Sequence, residues 1–284
     1  MNVMRSATYV FISTTLLLCI SGQCLAQGVS STPKKKLSIP FKFSAKEFSE
    51  VKVENIAAVK AAESDEPQMP FDAPAYSCYS LKRKAPMPAF KKGARYFFPA
   101  YNFICLVPTS DPSVENFAKA YPSFSRAVDK IKNLIKTKPA NFKQFEDLFD
   151  FPYNNAGWSV TAKRQYLDFP KVIGLLFLVQ YSQDMTPTPL NNEELTADFQ
   201  GLTTDQRYYV AARFSITNPR LPKGIDFVDN TAQYKCLEIK SPAINDCVRT
   251  YLKVEADKLE KFSDQEFQPS IGTIRTLLSS IDPQ

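Results

Sequence analysis

Residues 158–217 read WSVTAKRQYLDFPKVIGLLFLVQYSQDMTPTPLNNEELTADFQGLTTDQRYYVAARFSIT. The spacing of apolar residues in this stretch decides the fold. In Arg207–Thr217, Tyr208, Val210, Ala212, Phe214 and Ile216 fall on one face and Tyr209, Ala211, Arg213 and Ser215 on the other, as expected of a strand in an antiparallel sheet. Three further strands are predicted at Trp158–Phe169, Val172–Ser182 and Glu194–Phe199. Val172–Val179 is apolar on both faces, which places it centrally. Gly201-Leu202-Thr203-Thr204-Asp205-Gln206 is short and polar, as a hairpin turn requires. No βαβ alternation interrupts the block, so the sheet is expected to be an antiparallel meander.

Helical spacing flanks this block on both sides. Upstream, Val114, Phe117, Tyr121, Phe124, Val128, Ile131, Leu134 and Ile135 recur at helical intervals, with Ser113 or Asp111 as cap and a break at Pro122. A shorter helix is predicted over Asn141–Phe149. Downstream, helices are predicted over Ala243–Phe262 and from Pro269 to Ile281. Arg95–Val107 is aromatic and β-branched and reads as one more strand, with Pro99 at a bulge or edge. The expected class is α+β: a four- to five-stranded antiparallel meander sheet with helices packed on one face. It occupies residues 75–284. Residues 27–74, with a lysine run and the polar stretch 61–67, read as a flexible N-terminal arm in which 41–44 and 51–53 alternate enough for short strands.

Residues 1–26 have the layout of a signal peptide. Arg5 precedes an apolar run of about 14 residues, too short for a stable span, and Cys24-Leu25-Ala26 offers a small-residue cleavage site. The expectation is cleavage near Ala26 and export to the periplasm or the medium. Lipid attachment at Cys24 is disfavoured, because Gln23 stands where a small residue is needed. No transmembrane segment is expected after cleavage. Four cysteines then remain, Cys78, Cys105, Cys236 and Cys247. An even number in an exported chain implies two disulfides, and of the three pairings sequence proximity favours Cys78–Cys105 and Cys236–Cys247. No C-x-x-C spacing points to redox catalysis.

The formal net charge is +6, and histidine is absent. Without imidazole there is no Ser-His-Asp or Cys-His nucleophile and no H-E-x-x-H zinc site. Phosphate-cradling glycine loops are missing too, so no cofactor, metal site or catalytic residue set is assigned. The basic runs Lys34–Lys36, Lys82–Lys84 and Lys91–Lys92 are short and read as solvated surface, with weak attraction to anionic envelope material as the functional alternative. Nucleic acid is not an expected partner. The polar residues Gln180, Gln183, Asp184, Asp205 and Arg207 read as turn caps and open-face solvation ahead of a polar patch. Two function classes follow: a non-enzymatic envelope or secreted module that binds a protein or polymer, and, second, a carboxylate-dependent hydrolase of an extracytoplasmic polymer drawing on Asp184, Glu193, Glu194, Asp198 and Asp205.

Tyr166–Phe169, Gly174–Asp184, Phe199–Ala212, Asn218–Pro222 and Phe267–Ile271 together resemble segments of an uncharacterised family of exported bacterial proteins and lipoproteins. The resemblance spans roughly Tyr96 to Ile281 and implies fold and location only. Leu176, Gln206 and Asn218 stand where that family is expected to carry Arg, Gly and His. Gln206 in place of glycine implies that the turn need not have positive φ at that position.

Overall fold

The computed structural model describes residues 39–60, 71–84, 102–143, 146–148, 151–152, 156–182, 189–224, 236 and 244–283. Within the unit Ile39–Gln284 lies one antiparallel sheet of seven strands. They are β1 (Phe48–Ile56), β2 (Tyr76–Arg83), β3 (Asn102–Pro108), β4 (Gly157–Asp168), β5 (Val172–Ser182), β6 (Leu195–Thr203) and β7 (Tyr208–Ser215). Their spatial order is β1-β2-β3-β7-β6-β5-β4. Two meanders, β1–β3 and β4–β7, are therefore zipped together by β3 against β7, with Cys105 opposite Ala211. The expected four- to five-strand count is too low, because β1 and β2 extend the sheet.

The sheet is covered on both faces, not one. On the first face Leu176, Leu178, Ala197, Phe199, Val210, Ala212 and Phe214 are buried with residues of α3 (Ile244–Glu260) and α4 (Ile271–Ser279). On the second, Leu175, Phe177, Val179, Leu202, Tyr209 and Ala211 are buried with α2 (Pro122–Thr137), which follows the single turn α1 (Phe117–Ala120). The cause is the sequence of β5–β7. Successive side chains of a strand point to opposite faces, so β5, apolar on both faces over Val172–Val179, requires two apolar covers. Every described position of β6 is buried.

Close packing leaves no room for a side chain at one point of the β5–β6 seam. Gly174 and Gly201 are directly paired, and the Phe199 ring lies over both. A Cβ on either glycine would sit 2.4 Å from a backbone oxygen of the partner strand and 2.6 Å from that ring. The two glycines are spaces filled by Phe199.

The predicted arm is corrected in its second half. Val51, Val53 and Phe48 of β1 pack into the first core, and β1 pairs with β2 from Phe48↔Arg83 to Ile56↔Tyr76. Phe71 and Ala73 enter the second core, and Val59 bridges Ala73. Residues 1–38, including the predicted leader, lie outside the described residues. Arg83, at the end of β2, donates to the carbonyls of Ser215 at 3.2 Å and Gln268 at 2.9 Å, tying the edge hairpin to β7 and to the C-terminal segment.

Asp72 explains why that segment is docked. The Tyr121 position that begins α2 makes no side-chain cap, and the first turn holds no acid. Instead the buried Asp72 carboxylate accepts from the Ser123 amide at 3.0 and 3.2 Å and from the Phe124 amide at 3.3 Å. A carboxylate there satisfies orphan donors and favours the positive end of the helix dipole. The predicted caps act elsewhere: Asp111 accepts from the Ser113 amide, and Asn116 caps α1. Pro122 takes the first position of α2, where its missing N–H costs nothing.

The helix predicted over Asn141–Phe149 is absent among the described residues of that range. The Lys143 amide donates to the Asp147 carboxylate at 2.8 Å and the Lys143 carbonyl accepts from the Asp147 amide at 3.1 Å, which closes a single turn, while the Pro139 carbonyl accepts from the Tyr166 hydroxyl at 2.9 Å. Phe142 alone inserts, 6.0 Å from the Trp158 ring and 5.6 Å from Phe177. Both predicted disulfides form. Cys78–Cys105 joins opposed positions of β2 and β3, and Cys236–Cys247 anchors the start of α3.

Asp72→Ala removes a buried cap and leaves two amides unsatisfied, so it is expected to lower stability by about 2 kcal/mol. Urea unfolding followed by circular dichroism checks this, and a loss below a few tenths of a kcal/mol would show that the cap is replaceable.

Candidate functional site

The densest group of polar side chains lies on the second face of the sheet, in its centre. Asp198 of β6 stands opposite Arg213 of β7, and their side chains meet at 2.8 Å with the carboxylate fully buried. The same carboxylate oxygen accepts from the Tyr181 hydroxyl at 2.6 Å, and its other oxygen from the Thr196 hydroxyl at 2.7 Å. Arg213 also donates to the Tyr181 oxygen and lies 4.4 Å over the Tyr181 ring. Next along the face, the Tyr209 hydroxyl donates to Gln200 Oε1 at 2.6 Å, and Gln200 Nε2 donates to the Phe151 carbonyl at 2.9 Å.

Strand register builds this cluster. Positions 196, 198 and 200 of β6 share a face with 213 and 209 of β7 and 181 of β5, so alternation alone brings them together. Its chemistry is inward. Asp198 has both oxygens occupied, and Arg213 is half of a closed ion pair, so neither group is offered to a ligand. Burying such a pair costs desolvation, which the extra hydroxyl donors offset.

The remaining predicted acids are dispersed. Asp205 lies at the β6–β7 turn, seven positions from Asp198 and roughly 20 Å along the chain. Glu193 and Glu194 occupy the turn before β6, where Asn191 Oδ1 accepts from both their amides and Asn191 Nδ2 donates to Glu194 Oε2 at 3.2 Å. Asp198 and Asp205 are thus not brought together. Asp184 and Gln183 lie outside the described residues. Gln180 is buried and holds the same turn, donating to the Pro189 carbonyl at 3.1 Å and accepting from the Asn191 amide at 3.0 Å.

Asp205 and Arg207 close the β6–β7 hairpin. Asp205 accepts from the Thr203 hydroxyl at 2.6 Å, from Arg207 Nε at 2.6 Å and from the Arg207 amide at 3.1 Å. These donors, Thr203 first, hold its carboxyl at about 2, well below the usual carboxylate range. Gln206 has φ 59°, so the turn uses a left-handed residue at that position even without glycine. Of the other two departures, Leu176 is buried in the first core, and Asn218 is buried with its Oδ1 accepting from the Arg220 amide at 2.9 Å.

At the surface, charge is arranged differently on the two long helices. On α3 the exposed charges are matched along the helix: Arg249–Asp246 at 2.5 Å, Lys253–Asp257 at 2.6 Å and Lys258–Glu255 at 3.8 Å. The residues Arg126–Lys138 of α2 and its C-cap hold five cations and one acid, Asp129. Beside α2, burial lowers the affinity of Arg164 for its proton, and its Nη atoms donate to Asn141 and Thr161.

Sequence reasoning singled out Asp198 but not its partner. Arg213, at a position expected to face solvent, was the available signal, since a lone charge in an apolar strand needs a counter-ion when both faces are buried. Among the described residues no group of three or more Cys, Asp or Glu side chains can hold a metal ion, and no helix is long and apolar enough to cross a membrane. No family model, curated protein or solved structure matches the chain.

Asp198→Leu and Arg213→Met should each destabilise by about 3–5 kcal/mol, whereas the two substitutions combined should cost less than the single losses added together. A denaturation double-mutant cycle reads this, and strict additivity would dismiss the pair as a coupled unit. For Asp205, the folded carboxyl titrates below the unfolded one (about 4), so its stabilisation is present above pH 4 and is lost as pH falls toward 2. The stability gap between wild type and Asp205→Asn should therefore shrink over that window; a pH-independent gap contradicts the assignment.

Proposed function

We propose that this chain is an exported, disulfide-bonded, non-enzymatic module that binds an envelope protein or polymer through its outer surface. The observation that carries the reading is the closure of the central polar cluster. The only fully buried carboxylate among the described candidate acids is committed to Arg213, Tyr181 and Thr196. The other described candidates serve turns. A carboxylate pair for hydrolysis needs about 5–9 Å between its members and one acid free to move a proton. The chain's polar chemistry is spent on holding the sheet, which leaves recognition to the surface.

Export is supported by the leader-like residues 1–26, by two disulfides in a chain whose four downstream cysteines are all paired, and by the resemblance of Tyr166–Pro222 to exported bacterial proteins. Thiol alkylation and cell fractionation test location. Protein from the extracytoplasmic fraction should show no alkylated Cys78, Cys105, Cys236 or Cys247 before reduction, and cytoplasmic protein with free thiols would overturn export. In-cell crosslinking tests the rest, since a reproducible adduct of one mass is expected and its consistent absence counts against an interaction module.

A further inference from the structure

We propose that the outer edge of β1 is a self-association surface, and that a second copy of this chain pairs with it antiparallel about Val53. A partner is thereby named by the edge itself, beyond the reading of an envelope module.

The sheet ends at β1 on one side and at β4 on the other, and the two edges are built differently. β4 is interrupted twice, with register shifts between Trp158 and Val160 and between Ala162 and Gln165. Within the second shift Lys163 has φ 49°, and its amide donates to the Glu260 carboxylate of α3 at 2.6 Å. Bulges and a capped donor are devices that keep an edge from adding a strand. β1 has one shift, near its start, between Phe48 and Glu50. From Glu50 to Ile56 its register with β2 is unbroken, and no described strand lies on its outer side. Such a run presents a row of backbone donors and acceptors to an added strand.

Side-chain charge decides which strand fits. Glu50, Lys52 and Glu54 are exposed and alternate with half-buried Val51 and Val53, which pack on the first core. Glu50 lies opposite Lys82 of β2, whereas Lys52 lies opposite Ser80 and Glu54 opposite Cys78. Charge on an edge ordinarily discourages pairing, because an arbitrary strand does not match it. A second β1 does match it. With Val53 on the two-fold axis, Lys52 faces the partner's Glu54, Glu54 faces the partner's Lys52, and the two Val53 side chains meet. An axis at Lys52 would set Lys52 against its own copy and Glu50 against Glu54, which like charges forbid. An axis at Val51 would run the second strand into the shift at Phe48 and leave Glu54 without a cation. The charge pattern therefore selects one register.

The test is sedimentation equilibrium of the full chain over about 10 μM to 1 mM, the range in which a small interface associates. Lys52→Glu sets acid against acid on both sides of the axis, and Glu54→Lys sets cation against cation. Each should raise the dissociation constant roughly tenfold or more. Both positions are exposed, so neither reversal disturbs the core. Mixing the two single variants restores every opposite-charge pair and should give a heterodimer close to wild type in affinity, and so should Lys52→Glu with Glu54→Lys in one chain. Association through an apolar leader would be indifferent to these reversals. Hydrogen exchange locates the contact, since amides within Glu50–Ile56 should gain protection as the dimer forms. The proposal is overturned by a monomer across the range, by reversals without effect, by a mixture that does not recover, or by protection confined to another surface. Protection of Glu50–Ile56 only when an envelope extract is added would assign the edge to a different partner and overturn it too. Self-association in solution is independent of where a cell places the protein and of its adducts there, so failure here is distinguishable from failure of the envelope-module reading.

Discussion

The rest of the structure depends on the two-sided burial of β5, β6 and β7. Strands buried at nearly every position leave no face to water, so the chain must supply a cover for each. α2 covers one face, and α3 with α4 covers the other. The same constraint reaches the N-terminal segment, since Phe48 completes one core and Phe71 the other. It also makes Arg213 and Asp198 necessary to each other, because a guanidinium on an interior strand has no water to turn to.

Legibility in the sequence followed the strength of periodic burial. β5 is predicted to the residue, and β4, β6 and β7 within a few positions, because their apolar residues alternate or run continuously. β1 and β2 were harder to read. β1 lies at the sheet edge and its Glu50, Lys52 and Glu54 remain exposed, so composition there resembles a loop and leaves β2 without a visible partner. The second cover was missed for another reason. Helical spacing shows that α2 has an apolar face but not which side of a sheet receives it. Non-local polar contacts left no local mark: Asp72 lies 51 residues from the amide it caps. At Gln206 the residue type gave no sign of a left-handed turn, and the hydrogen bonds of Thr203, Asp205 and Arg207 enforce one.

The candidate acids illustrate how the same residues read differently once placed. Asp198 was legible as a carboxylate among strands, and only its register with Arg213 shows that it is a counter-ion. Gln180, read as a turn cap ahead of a polar patch, holds the turn before β6 together with Asn191. The central cluster on the second face is therefore closed by mutual satisfaction of its polar groups.

The position of β7 has a consequence for the order of events in the life of the chain. It is the last strand in sequence, yet it sits in the middle of the sheet, where it must meet β3 across about 100 intervening residues. A polypeptide emerging from its amino end cannot join its two meanders until residues 208–215 have arrived, and the cover made by α3 and α4 comes later still. The two meanders thus stay unjoined through most of synthesis, and the core closes only after the chain is nearly complete.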